Sequence, residues 1–214
     1  MAVEHLPAVV GPTGPEPEDI GTGHTMREVT EAVAADPTRW TPELAALVGS
    51  FFDERAADWA QSRSERSDVL ADALDRGPAA LGSFLAGPVL ELGAGTGAGT
   101  RVLSERAEHV VAGDLAGEML AHLPSSLASR VRLDASTLPI AEGAVGVVVC
   151  VNMLLFADEV RRVLADGGLF VWVNSIGERT PIHLSAEQVA ASLGDDVEVV
   201  ASRCGWGTWA VAKV

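Results

Sequence analysis

The sequence predicts an α/β fold: a doubly wound, mostly parallel seven-stranded sheet with an antiparallel last strand, plus an N-terminal helical cap. Three observations predict it. From about residue 86, short apolar runs alternate with amphipathic stretches, the pattern of strand–helix units in a parallel sheet. One run, Val145 to Val151, is almost continuously apolar, as a strand must be when helices cover both its faces. Two runs near the C-terminus are separated only by Gly205-Trp206-Gly207, a connection short enough to require antiparallel pairing.

Taken in order, residues 1–25 carry seven Gly and Pro between positions 11 and 23 and show no period, so they are expected to form a flexible leader. Residues 26–85 are expected to form the helical cap. Asp36-Pro37 ends its first helix, and Thr41-Pro42 opens the second with an N-cap residue followed by Pro. Leu44, Leu47, Val48, Phe51 and Phe52 form an apolar stripe at three- and four-residue steps. A third helix near Ser64 to Arg76 is expected to stop at Gly77-Pro78.

Residues 86–214 then supply the sheet. Strands are expected at Pro88–Leu92, His109–Gly113, Val131–Leu133, Val145–Val151 and Leu169–Val173, followed by Val197–Ala201 and Thr208–Val214. Helices are expected after Gly99, from Ala116 to Leu123, from Phe156 to Leu164, and after the capping box Ser185-Ala186-Glu187-Gln188.

Composition narrows the function. Thirty acidic residues face fifteen basic ones, a formal net charge of −15, and such a field repels phosphate backbones. Nucleic acid is therefore not an expected partner. Two cysteines, Cys150 and Cys204, make neither a disulfide framework nor a metal cluster and suit a reducing compartment. No segment reads as a signal peptide or a membrane span. The expectation is a cytoplasmic protein with no membrane partner and no metal; the sequence does not reveal its oligomeric state.

The chemistry centres on Gly93-Ala94-Gly95-Thr96-Gly97, where the first sheet strand meets its helix. Bare backbone there lets a ligand lie on the turn, and the helix start offers unpaired N–H groups to it. Two cofactor readings compete. Gly93-x-Gly95-x-x-Ala98 is a permissible dinucleotide fingerprint. Glu91, two places before the first glycine, points the other way, because a carboxylate suits a cationic ligand and repels a diphosphate.

The stretch Val89-Leu90-Glu91-Leu92-Gly93-Ala94-Gly95-Thr96-Gly97 resembles the first motif of class I S-adenosylmethionine-dependent methyltransferases of the small-molecule type. The resemblance continues in order over roughly residues 86–214. It implies that Asp114, ending the second strand, takes the ribose hydroxyls, and that Leu115 and Met119 flank the adenine. Asp134-Ala135-Ser136 resembles the family's adenine-recognition turn, and Val151-Asn152 stands where the family's backbone faces the methionine portion. Asp166-Gly167-Gly168-Leu169 resembles the turn into the fifth strand.

S-adenosylmethionine is thus the expected cofactor, and in-line methyl transfer to a small-molecule acceptor the expected reaction. His183, after the fifth strand, is the candidate base; His109 and His122 read as structural. The short link between the fifth and sixth strands leaves the N-terminal helices to cover the acceptor, with Phe52, Trp59 and Arg63 (and their neighbours Phe51 and Arg55) as pocket candidates. Trp206 and Trp209 read as packing of the terminal hairpin. Unlike some quinone-pathway members, the chain carries Leu154-Leu155-Phe156 after Asn152, with no histidine. Two other readings stand beside this one. An NAD(P)-dependent oxidoreductase of the commonest short-chain kind needs a Tyr-Lys pair, and the chain has no Tyr and one Lys, Lys213. A non-catalytic cofactor-binding regulatory protein would bind the same ligand without turnover.

Overall fold

A computed structural model describes residues 2–61 and 67–214. The sheet has eight strands: β1 (Glu4–His5), β2 (Val89–Leu92), β3 (Val110–Asp114), β4 (Ser129–Arg132), β5 (Val145–Val151), β6 (Leu164–Asn174), β7 (Glu198–Cys204) and β8 (Gly207–Lys213). Their order is β1-β7-β8-β6-β5-β2-β3-β4. All neighbours pair in parallel except β8, which runs antiparallel to both β6 and β7.

The additional strand lies in the segment expected to be a leader. Glu4 and His5 pair with Val200 and Ala201, and Leu6 N–H donates to the Ala201 carbonyl at 2.8 Å. Two residues carry no readable period, so this edge strand could not be found from pattern. β4 begins two residues earlier than expected, and β6 extends beyond the apolar run at both ends.

The eight α-helices of the described residues are α1 (Thr25–Ala35), α2 (Pro42–Asp53), α3 (Ala56–Gln61), α4 (Ser67–Ala80), α5 (Ala98–Ser104), α6 (Gly117–His122), α7 (Ala157–Val163) and α8 (Ala186–Leu193). No described helix is long and apolar enough to cross a membrane. The expected caps are present: Thr41 Oγ1 accepts from Leu44 N–H at the start of α2, and Ser185 and Gln188 close a capping box on α8.

Period-two alternation in the central strands divides the core into two layers. Val147, Val149, Val171 and Val173 pack with Val69, Leu70, Ala73 and Leu74 of α4 and with Val102 and Leu103 of α5. Val148, Cys150, Phe170 and Trp172 pack on the other side with Val160 and Val163 of α7 and Val189 and Leu193 of α8. Helices on both faces explain why β5 is apolar at nearly every position.

Within the segment expected to form the cap, α4 packs on the sheet itself. Trp209 Nε1–H donates to Asp72 at 2.7 Å, and Arg76 donates to the same carboxylate oxygen at 3.0 Å. The helix also runs through Gly77-Pro78, the pair expected to stop it, and ends at Ala80. Packing against β8 overrides the local cost of a proline. α1 to α3 cover the carboxyl ends of the strands, and Leu70 of α4 reaches the cavity there.

Candidate functional site

The direction of the sheet connections reverses between β2 and β5. At such a switch point the loops leave on opposite faces and open a crevice at the strand carboxyl ends. The cavity found there is lined by the β2–α5 turn, the ends of β3 and β5, the loop after β4, Ser175 and Ile182 after β6, and the inner sides of α1 to α3.

The glycine turn forms its floor. Gly95 has φ +53°, and no protein atom lies within 4 Å of the position its Cβ would take. The space beside it is cavity, not core. Its amide donates to Asp114 Oδ2 at 2.7 Å, while Asp114 Oδ1 accepts from Ala116 N–H at 2.8 Å. Each Asp114 oxygen is thereby fixed while keeping a second lone-pair direction. Burial pushes the Asp114 carboxyl above its ordinary range, against the amides that favour its charge.

Glu91 is 2% exposed yet lines the same cavity. Thr100 Oγ–H donates to its Oε2 at 2.5 Å. Gly99 permits this close approach: a Cβ there would stand 2.2 Å from Glu91 Oε1. Burial, with the Asp114 charge adding to it, pushes the Glu91 carboxyl up to about 8. At neutral pH this favours the protonated carboxyl, and an arriving cation would favour releasing the proton.

The loop after β4 is tied to the cap. Asp134 Oδ1 accepts from Ser136 N–H at 2.8 Å, and both Asp134 oxygens accept from Trp40 Nε1–H at 3.1 Å. Trp40 stands between α1 and α2 and meets Phe156 edge-on, ring centroids 5.6 Å apart. Two further ties hold the cap. Asp53 accepts from Glu118 N–H at 2.8 Å, and Arg27 donates to the carbonyls of Glu178 and Thr180.

Of the residues expected at the cofactor, Glu91, Gly93, Ala94, Gly95, Asp114, Leu115, Met119, Asp134, Ala135, Val151 and Asn152 come together around this cavity. Leu92, Gly97 and Ser136 do not line it. Leu92 points into the core, Gly97 starts α5 against Leu123, and Ser136 serves Asp134 through its amide. Phe52 and Trp59 line it as expected, with ring centroids 5.7 Å apart. Arg63 lies outside the described residues.

The expectation for His183 needs correction. The side chain is 7% exposed and is not among the lining residues. Its Nδ1 faces the Arg27 guanidinium at 3.4 Å. Burial and that positive charge push the ring down to about 4, so it is neutral at physiological pH and a weak base. Sequence reading missed Trp40, which sits in a link between helices with no period around it. It also missed Ser175, though the polar pair Asn174-Ser175 ending an apolar strand was a usable signal.

With this geometry in view, comparison with known proteins gives concordant results. Residues 90–172 match the family described as methyltransferase domain. Comparison with curated proteins gives no match. Among solved structures, the DhpI–SAH complex superposes with a TM-score of 0.61 at 21% identity, covering 77% of this chain and 93% of that one. A SAM-dependent methyltransferase from Aquifex aeolicus gives 0.60 at 15% identity, covering 75% and 97%. One from Methanococcus maripaludis gives 0.57 at 16%, covering 75% and 92%.

Proposed function

Residues 90–172 match the methyltransferase domain family, and we propose that the chain is a class I S-adenosylmethionine-dependent methyltransferase that methylates a small molecule enclosed between the strand ends and the helices α1 to α3. The observation that carries this reading is the open Gly95 turn, facing a cavity it shares with the carboxyls of Glu91 and Asp114. The cap supports a small acceptor, because Trp40, Phe52 and Trp59 line the cavity with bulky rings. The net charge of −15 disfavours a nucleic-acid acceptor. Buried, unpaired Cys150 and Cys204 fit a cytoplasmic setting.

The residues present suit the cofactor. Asp114 keeps lone pairs for the two ribose hydroxyls, and charge-assisted bonds of that kind are strong. Leu115 and Met119 supply apolar surface for a flat base, with Asp134 and the Ala135 amide at its polar edge. Glu91 gains its negative charge as a cation enters, and Val151 and Asn152 bring backbone to the methionine end. Leu92, Gly97 and Ser136 hold these groups in place from behind. When bound, S-adenosylmethionine supplies a methyl group on a cationic sulfur, and the acceptor's lone pair forms the new bond to that carbon as the carbon–sulfur electron pair returns to sulfur.

The chain's own contribution is alignment and exclusion of water. The helices α1 to α3 keep the acceptor on the axis of attack, and the apolar walls limit competing solvent. Glu91, ionised as the cation enters, and Asp114 supply negative charge to the cavity. His183 faces Arg27, and no histidine among the described residues lines the cavity. The acceptor therefore brings its own lone pair.

The test is calorimetric titration with S-adenosylmethionine, S-adenosylhomocysteine and NAD in parallel. Binding of the first two with no heat from NAD is the expected result. Binding of NAD alone overturns the reading.

A further inference from the structure

The cavity's charged lining residues, among those described, are the carboxyls of Glu91, Asp114 and Asp134. Phe52, Trp59, Met153, Phe156 and Ile182 supply apolar surface to the same cavity. An anion placed there would lose its hydration to apolar rings, with no cationic lining residue among those described to compensate it. A protonated amine would lack the lone pair that attack requires. The space left beside a bound cofactor is suited to an uncharged molecule.

One buried hydroxyl interrupts these apolar walls. Ser175 is 8% exposed and lines the cavity beside Asn152. The two residues grip each other: Asn152 Nδ2–H donates to Ser175 Oγ at 2.8 Å, and Ser175 N–H donates to Asn152 Oδ1 at 2.9 Å. Asn152 is the described non-glycine residue with positive φ, +50°. Asn tolerates that conformation better than most residues, and holding it implies a specific local demand. Its own N–H donates to the Val173 carbonyl at 2.9 Å, which anchors the pair to β6.

The consequence lies in the direction of one proton. Ser175 Oγ already accepts from the Asn152 amide, so its hydrogen must point elsewhere. No described residue accepts it. A buried hydroxyl donor without a protein acceptor, on the wall of an apolar cavity, has its partner still to come.

We propose that the acceptor is an uncharged, predominantly apolar ring compound, one of whose heteroatoms accepts a hydrogen bond from Ser175 Oγ. This rests on the methyltransferase reading above and names its acceptor class. Asn152 is the positioning residue: it fixes the serine rotamer and has no need to touch the acceptor.

The test uses the full chain saturated with S-adenosylhomocysteine and three bicyclic aromatic probes. These are quinoline, neutral with an accepting nitrogen; naphthalene, neutral without one; and 2-naphthoate, an anion. Dissociation constants are read by ligand-observed NMR. Quinoline is expected to bind at least tenfold more tightly than 2-naphthoate. Ser175→Ala is expected to weaken quinoline roughly three- to tenfold, the worth of one hydrogen bond, and to leave naphthalene unchanged. A general loosening of the fold would weaken both neutral rings alike.

The comparison of quinoline with 2-naphthoate in the unmodified protein needs no variant, so poor folding of Ser175→Ala does not protect the proposal. Equal or tighter binding of 2-naphthoate, binding of none of the probes, or an unchanged quinoline affinity in a folded Ser175→Ala overturns it. Absence of S-adenosylhomocysteine binding removes the methyltransferase reading and this inference with it. Binding of S-adenosylhomocysteine without the ring preference removes the inference alone.

Discussion

The floor and the roof of the cavity are built by different means. The floor is backbone and carboxylate: the bare Gly95 turn, Asp114 held by two amides, and Glu91 buried against Thr100. The roof is side chain: Trp40, Phe52 and Trp59, carried on α1 to α3 and the links between them. The indole of Trp40 on Asp134 ties one to the other. A floor of this kind is specified by short-range sequence, because each group lies within a few residues of a strand end. The roof depends on how three helices come to rest on strands, β2 to β6, that follow them tens of residues later in the chain.

The largest effect that would break this contrast is expected in the floor. Asp114→Ala removes the partners of Gly95 and Ala116 as well as the proposed ribose contacts. Cofactor binding should weaken by about 2–4 kcal/mol by calorimetry, with Asp114→Asn retaining part of it. An unchanged dissociation constant takes Asp114 out of the site.

The roof should respond in the opposite proportion. Trp40→Phe keeps the ring against Phe156 but loses the bond to Asp134. Stability in urea should fall by about 1–2 kcal/mol, while cofactor affinity changes less than threefold. A large loss of cofactor affinity would show that floor and roof act as one unit.

The smallest effect is a dependence on pH. A carboxyl raised from its ordinary 4.5 to about 8 binds more protons folded than unfolded between those values, so Glu91 makes stability fall as pH rises through that window. His183, pushed down from 6.5 to about 4, acts with the opposite sign below 6.5. Thermal unfolding between pH 6.5 and 8 isolates Glu91, and Glu91→Gln should flatten the slope there. Over the same interval the affinity for S-adenosylmethionine should rise relative to that for neutral-sulfur S-adenosylhomocysteine. A flat ratio would mean that Glu91 does not sense the cation.

Local patterns in the chain suffice for the floor and for much of the sheet. Val145 to Val151 can be read as a doubly covered strand because a period-two pattern loses its polar members when both faces are buried. Thr41-Pro42 and the Ser185 box mark helix starts because capping is settled within four residues. β1 escapes notice because two residues carry no pattern. The end of α4 is misplaced because Pro78 stops a helix in isolation and is tolerated when the helix is pressed onto β8.

The amino-acid order by itself determined which residues cluster at the strand ends, since a turn of bare backbone and an acid two places before it are facts of adjacency. The tertiary structure decided the rest: that α4 belongs to the core, that Trp40 reaches Asp134 across 94 positions, that His183 turns to Arg27, and that Ser175 faces the cavity in its place. The physical reason is range. Capping and turn geometry act over a few bonds, whereas the neighbours of a side chain on a long loop are set by the packing of elements distant in sequence.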